Sequence, residues 1–121
     1  MSEELYRENI LDHYKNPRNK GKIAGALIQK ELNPLCGDEI TIYLIIEDDK
    51  IKKIKFEGHG CAVSQAAISM LTEKVQEMPI EEAKKLTAEE IIEMLGIPIS
   101  HTRMKCALLS LKTLQKGLEN A

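Results

Sequence analysis

The sequence predicts an α+β fold, an antiparallel three-stranded sheet packed against helices. Three observations carry this. β patterning is confined to the first half, helical patterning fills the second, and a short acidic turn joins two apolar runs as a hairpin. The 121 residues are 43% hydrophobic and 30% charged, which suits a single domain over residues 1–121 with a core that needs no disulfides. With three Tyr, one Phe and no Trp, aliphatic side chains must supply the packing.

Residues 3–15 place Tyr6, Ile10 and Tyr14 four apart, with Leu5 and Leu11 beside them, an amphipathic helix pattern. Pro17 disfavours helix at Asn16, and Gly21 permits a turn. Residues 23–32 read as a first strand. Ile40, Ile42, Leu44 and Ile46 alternate with Thr41, Tyr43 and Ile45, a strand with one strongly apolar face. Glu47-Asp48-Asp49-Lys50 turns the chain, and Ile51–Phe56 returns with Lys52, Lys53 and Lys55 on a solvated face.

From Cys61 to about Glu77, Val63, Ala67, Met70, Leu71 and Val75 recur at helical spacing, the methionine as core filler. Pro79 suits the start of a short helix. Thr87-Ala88-Glu89-Glu90 is a capping box, and Gly96 and Pro98 stop the helix it opens. A last helix from about Arg103 carries Met104, Leu108, Leu111, Leu114 and Leu118 as its apolar stripe.

Charge and length exclude several functions. Seventeen Lys and Arg against nineteen Asp and Glu give a net charge of −2, so no basic field or aromatic platform serves nucleic acid. No apolar run approaches the ~20 residues of a membrane span. Met1-Ser2-Glu3-Glu4 is acidic where a signal peptide is basic, so the expected location is the cytoplasm.

Three cysteines, Cys36, Cys61 and Cys106, leave an odd thiol under any disulfide pairing. Reduced thiols serving metal or sulfur chemistry fit that count, with three buried apolar thiols as the alternative. Cys36-Gly37-Asp38 puts a thiol and a carboxylate two apart, on one side of an extended chain. Cys61, after Gly58-His59-Gly60, starts a helix whose dipole favours thiolate. Cys106 lies in the first turn of the last helix, where Arg103 and Lys105 should also lower its pKa. The spacing, Cys-x-Asp, 22 residues, Cys, 44 residues, Cys, is no paired-CxxC zinc finger. Three thiolates and a carboxylate nevertheless suit zinc, and thiolates also hold iron–sulfur clusters.

Four stretches resemble one family, the iron–sulfur cluster assembly scaffolds of IscU-like and SufU-like type, which match the N-terminal domain of NifU. They are Tyr6 to Gly21, Asn33-Pro34-Leu35-Cys36-Gly37-Asp38, Gly58-His59-Gly60-Cys61-Ala62-Val63-Ser64, and Arg103-Met104-Lys105-Cys106-Ala107. The resemblance implies the family's α+β fold with its ligands at one exposed end. It implies Cys36, Asp38, Cys61 and Cys106 as ligands of a [2Fe–2S] cluster or of iron or zinc. Cys106 would accept persulfide sulfur from a cysteine desulfurase, as an exposed nucleophile. The finished cluster would pass to apo-proteins or carriers, so the chain would be a scaffold rather than an enzyme. The alternative it implies is a zinc-dependent SufU-like sulfurtransferase.

The chain departs from both subfamilies. Lys105 stands where IscU proteins carry His before the last cysteine, as in the SufU-like Arg-x-Lys-Cys pattern. Yet Leu95–Thr102 leaves little room for the SufU insertion. The Leu-Pro-Pro-Val-Lys segment recognised by an Hsp70-type chaperone is replaced by Gly96-Ile97-Pro98-Ile99-Ser100, which argues against that partner. With the usual histidine missing, Asp38 is the expected fourth ligand, and a weak one, since cluster iron prefers thiolates. His59 and His101 read as loop histidines, and His13 as a helix-face residue.

Overall fold

The computed structural model describes residues 2–121. Helix α1 (Glu3–Lys15) leads into strands β1 (Leu27–Asn33), β2 (Asp38–Glu47) and β3 (Lys50–His59). Helices α2 (Ala62–Val75), α3 (Ile80–Lys84), α4 (Ala88–Leu95) and α5 (Met104–Glu119) follow. The strands form the expected antiparallel sheet, in the order β1-β2-β3.

Turn chemistry fixes the register of this sheet. Glu47 pairs with Lys50, leaving Asp48 and Asp49 as a two-residue loop with φ of 52° and 60°. Two positive φ values make the primed hairpin turn that matches strand twist, and aspartate tolerates that region. Ile46 pairs with Ile51 while Ile45 pairs with Lys53, so Lys52 is an extra residue in β3. This bulge puts Ile51 and Ile54, three apart, on the same buried face. Lys52 and Lys53 are exposed as expected, and Lys55 is half-buried. Residues 19–21 run beside the outer edge of β3, where Gly21 N donates to Phe56 O (2.8 Å) and Phe56 N to Asn19 O (2.9 Å).

The core lies between the sheet and α2 and α5. Ile40, Ile42, Leu44, Ile54 and Phe56 face it, all at most 1% exposed. Every residue of α2 from Val63 to Thr72 is buried, as befits a helix with neighbours on all sides. It packs on α1, α4, α5 and β3. Among the described residues, no helix is long and apolar enough to cross a membrane.

Several boundaries shift from the sequence reading. The first strand begins at Leu27 rather than residue 23, because Gly25 (φ 75°) still turns the chain. Helix α2 ends at Val75, before Glu77 takes φ 65°. Pro79 caps α3, and the Thr87 hydroxyl accepts from Glu90 N (3.2 Å) to open α4. A 3-10 turn over His101–Arg103 precedes α5.

Helix α1 is rotated from the expected stripe. Ile10 and His13 are its buried residues, whereas Leu5, Leu11 and Tyr14 are exposed. His13, read as a helix-face residue, lies on the inner face: it is 5% exposed and 2.7 Å through Nδ1 from Ser69 Oγ on α2. The same hydroxyl oxygen accepts from Arg18 N (2.9 Å), so its proton is free for a neutral imidazole. The Tyr6-Ile10-Tyr14 spacing concealed this because a polar side chain with a buried partner defines the inner face as well as an apolar one.

Burial, with Arg18 adding, holds the His13 pKa below the usual histidine value, against the smaller pull of Glu73 and Asp12. The unfolded chain therefore takes up the proton first as pH falls. The stability His13 contributes is complete above about pH 6.5 and is lost as pH drops below it. Thermal melts of the metal-free protein between pH 7.5 and 5.5 should fall more steeply for the wild type than for His13→Gln. Parallel slopes would show that His13 gains its proton equally in both states.

Candidate metal centre

The site forms where β1, β2, α2 and α5 end together. Asn33 pairs with Asp38 at the last rung of the β1–β2 ladder, so Pro34 to Gly37 close a four-residue loop. The Asn33 carbonyl accepts from Cys36 N (3.3 Å) and Gly37 N (2.9 Å), and Gly37 completes the turn at φ 73°. This lifts Cys36 to the loop's exposed side and returns Asp38 to the sheet, 1% exposed. Cys61 is the N-cap of α2, and its sulfur accepts from Ser64 N at 3.5 Å. Cys106 enters from the first turn of α5.

The four sequence-predicted ligands meet here. Cys36 Sγ is 3.1 Å from Asp38 Oδ2 and 3.1 Å from Cys106 Sγ. Ligand atoms of Cys36, Asp38 and Cys106 lie within 4.8 Å of one another. Cys61 stands just outside that triad, its Sγ 3.7 Å from Asp38 Oδ2. Its backbone N–H donates to Asp38 Oδ1 at 2.9 Å, so one carboxylate touches two ligand-bearing segments. Burial opposes the charge on Asp38, but hydrogen bonds from Cys106, Cys36 and Cys61 outweigh it and lower the pKa.

Cys106 departs from expectation in two respects. It is 5% exposed, and Cys36 is the solvent-facing thiol instead. Its pKa is raised, first by burial and then by Cys36 and Asp38. Arg103 and Lys105 precede it in sequence but are exposed, and water screens their charge. Adjacency along the chain was a poor guide, because the buried carboxylate comes from 68 residues away in sequence.

Neither loop histidine joins the thiols. His59 ends β3, exposed, and its Nε2 lies 2.9 Å from Glu39 Oε2. His101 is exposed in the 3-10 turn. Sequence reasoning missed two residues that shape the site. Asn33 is 7% exposed, and its side-chain amide points at Cys106 Sγ. Gly60 has φ 146°, and a Cβ there would overlap the Asp38 carboxylate. The Gly-x-Gly ahead of Cys61 was the available signal for the second.

The donor set fits a thiophilic group. Three sulfurs and one carboxylate offer the soft, anionic ligands that zinc or an iron–sulfur cluster takes. The cradle left by Gly60 holds the carboxylate among them. The family model described as "NifU-like N terminal domain" matches residues 5–120. The chain belongs to that family.

Similarity to individual proteins runs through both expected subfamilies. The chain is 36% identical to the zinc-dependent sulfurtransferase SufU of Bacillus subtilis, covering 94% of this chain and 89% of that protein. It is 39% identical to the iron-sulfur cluster assembly scaffold protein IscU 1 of Archaeoglobus fulgidus, covering 94% of this chain and 74% of the relative. The SufU alignment spans 131 positions and the IscU one 115 for the same coverage of this chain. The IscU match is therefore nearly free of gaps, whereas SufU carries extra residues. The structure also resembles that of a scaffold protein for the SUF system from Fervidobacterium islandicum AW-1, with a TM-score of 0.82 at 34% identity, covering 98% and 99% of the two chains.

Gly60→Ala should lower zinc affinity at least tenfold, because the added methyl overlaps both the carboxylate and the backbone of Asp38 and so forces the Asp38 and Cys61 segments apart. Gly25→Ala is the control. It also has positive φ (75°) but meets nothing within 4 Å, so it should cost about 1 kcal/mol of stability and leave zinc affinity intact. Competition against a chromophoric chelator measures both. Equal affinities for the Gly60 variant and wild type would show that Asp38 does not organise the site.

Proposed function

We propose that this chain is a scaffold on which iron and sulfur are assembled into a [2Fe–2S] cluster for transfer to apo-proteins or carriers. The observation that carries this is the convergence of Cys36, Asp38, Cys61 and Cys106 from three separate chain segments at one end of the fold. Four donors gathered by the fold, with one thiol open to solvent, suit loading and unloading better than permanent storage. The names of the similar IscU protein and of the similar SUF-system scaffold protein support the same reading. A cytoplasmic setting keeps three unpaired thiols reduced.

Sulfur delivery calls for a cysteine desulfurase. In this reading the Cys106 thiolate attacks the terminal sulfur of the desulfurase persulfide, forming Cys106 persulfide and releasing the desulfurase thiolate. Because Cys106 is covered and its thiol is hard to ionise, that step needs the Cys36 loop to move aside or a metal to displace the proton.

The second reading is a zinc-dependent sulfur acceptor of the SufU kind. Lys105, in place of a histidine, and the similarity to the Bacillus subtilis protein favour it. Both readings share the persulfide and differ in the cluster. Anaerobic incubation with a desulfurase, cysteine and ferrous iron, followed by iron and sulfide analysis, separates them. A transferable cluster supports the scaffold, and persulfide without a cluster supports the zinc form.

Cys106→Ser should abolish persulfide formation while leaving the melting temperature near the wild-type value, as read by intact-mass spectrometry after desulfurase treatment. Added sulfur on Cys36 in that variant would move the acceptor role to the exposed thiol. Asp38→Ala should hold its cluster longer and deliver it more slowly to an apo-ferredoxin, since the hard ligand that weakens the site is gone. It also loses the acceptor for Cys61 N, so the metal-free variant should melt lower. Faster cluster loss would show that the hold of Asp38 on the neighbouring segments outweighs its weakness as a ligand.

A further inference from the structure

We propose that Asn33 is a positioning residue whose side-chain amide donates a hydrogen bond to the Cys106 sulfur and stabilises its anionic, metal-bound form. This rests on the reading of Cys36, Asp38, Cys61 and Cys106 as a metal-holding set. Asn33 Nδ2 lies 3.9 Å from Cys106 Sγ, a long contact suited to a large sulfur acceptor. The amide orientation follows from its other end, where Oδ1 accepts from Leu35 N at 3.3 Å. A flipped amide would set two N–H groups against each other there. Asn33 is 7% exposed, and among the described residues its NH2 group has no acceptor but this sulfur.

A buried donor needs an acceptor, and a neutral thiol is a poor one. A thiolate is a strong one, because hydrogen bonds to charged acceptors are shorter and about twice as strong as neutral ones. The amide therefore favours the charged sulfur. The same residue also holds the ligand loop through its backbone carbonyl, which any residue at position 33 supplies. Side-chain and main-chain roles are thus separable by substitution.

Asn33→Ser keeps a hydroxyl that can accept from Leu35 N but cannot span to the sulfur, and Asn33→Asp keeps the acceptor and removes the donor. Cobalt(II) bound in place of zinc reports the thiolates through their sulfur-to-metal charge-transfer absorption. Loss of the hydrogen bond raises the sulfur lone pair, so in both variants this band should move to longer wavelength. Zinc affinity of Asn33→Ser should fall about tenfold. Melts of the metal-free variants read any damage to the loop. Wild-type band positions in both variants would overturn the proposal, as would a shift seen only where the metal-free protein has lost its melting transition. If the wild type itself shows no cobalt–thiolate absorption, the metal-holding reading fails first and takes this proposal with it.

Discussion

The hydrogen bond from Cys61 N to the buried Asp38 carboxylate is the contact on which the ligand end of this protein depends. It is 2.9 Å long and joins the first residue of β2 to the cap of α2. A carboxylate removed from water is costly unless its oxygens are hydrogen-bonded. Here the compensating donors are the backbone and thiols that make the site. Burial of Asp38 and assembly of the donor set are therefore one event.

That arrangement has an electrostatic cost concentrated at Cys106. The carboxylate that draws the segments together also opposes ionisation of the thiol beside it. Cationic metal relieves both at once, since it pairs with the carboxylate and the thiolates together. Without metal the site therefore retains the Cys106 proton, and a metal cation must displace it to bind. Lys30 balances Glu39 on the neighbouring residue of β2, so that carboxylate's charge is compensated just outside the site.

Much of this was legible along the chain. The alternation at Ile40–Ile46, the acidic hairpin turn and the capping sequence at Thr87 are local signals, and each became the expected element. The convergence of the candidate ligands was legible because their motifs lie at element ends, where side chains from different segments meet. What stayed hidden depends on contacts distant in sequence. His13 is inward because Ser69, 56 residues on, receives it. Cys106 is covered because Cys36 lies against it across 70 residues. Asn33 stood at the head of the Cys36 motif, but nothing in the sequence pointed its side chain at Cys106, 73 residues on. The Lys52 bulge follows from packing Ile51 and Ile54 on the same core, which a strict period of two cannot express.

The order in which the chain is synthesised bears on the donor set. The β1–β2 hairpin and its loop involve neighbours only, and β3 and then α2 follow in sequence, so Cys36, Asp38 and Cys61 can come together from one continuous half of the chain. Cys106 belongs to the last helix, which packs on β1 and β2 only after α3 and α4 have been laid down between them. Contacts so distant in sequence form late. A nascent chain therefore presents only three of the four candidate donors until its C-terminal helix emerges, and the complete donor set becomes a property of finished molecules.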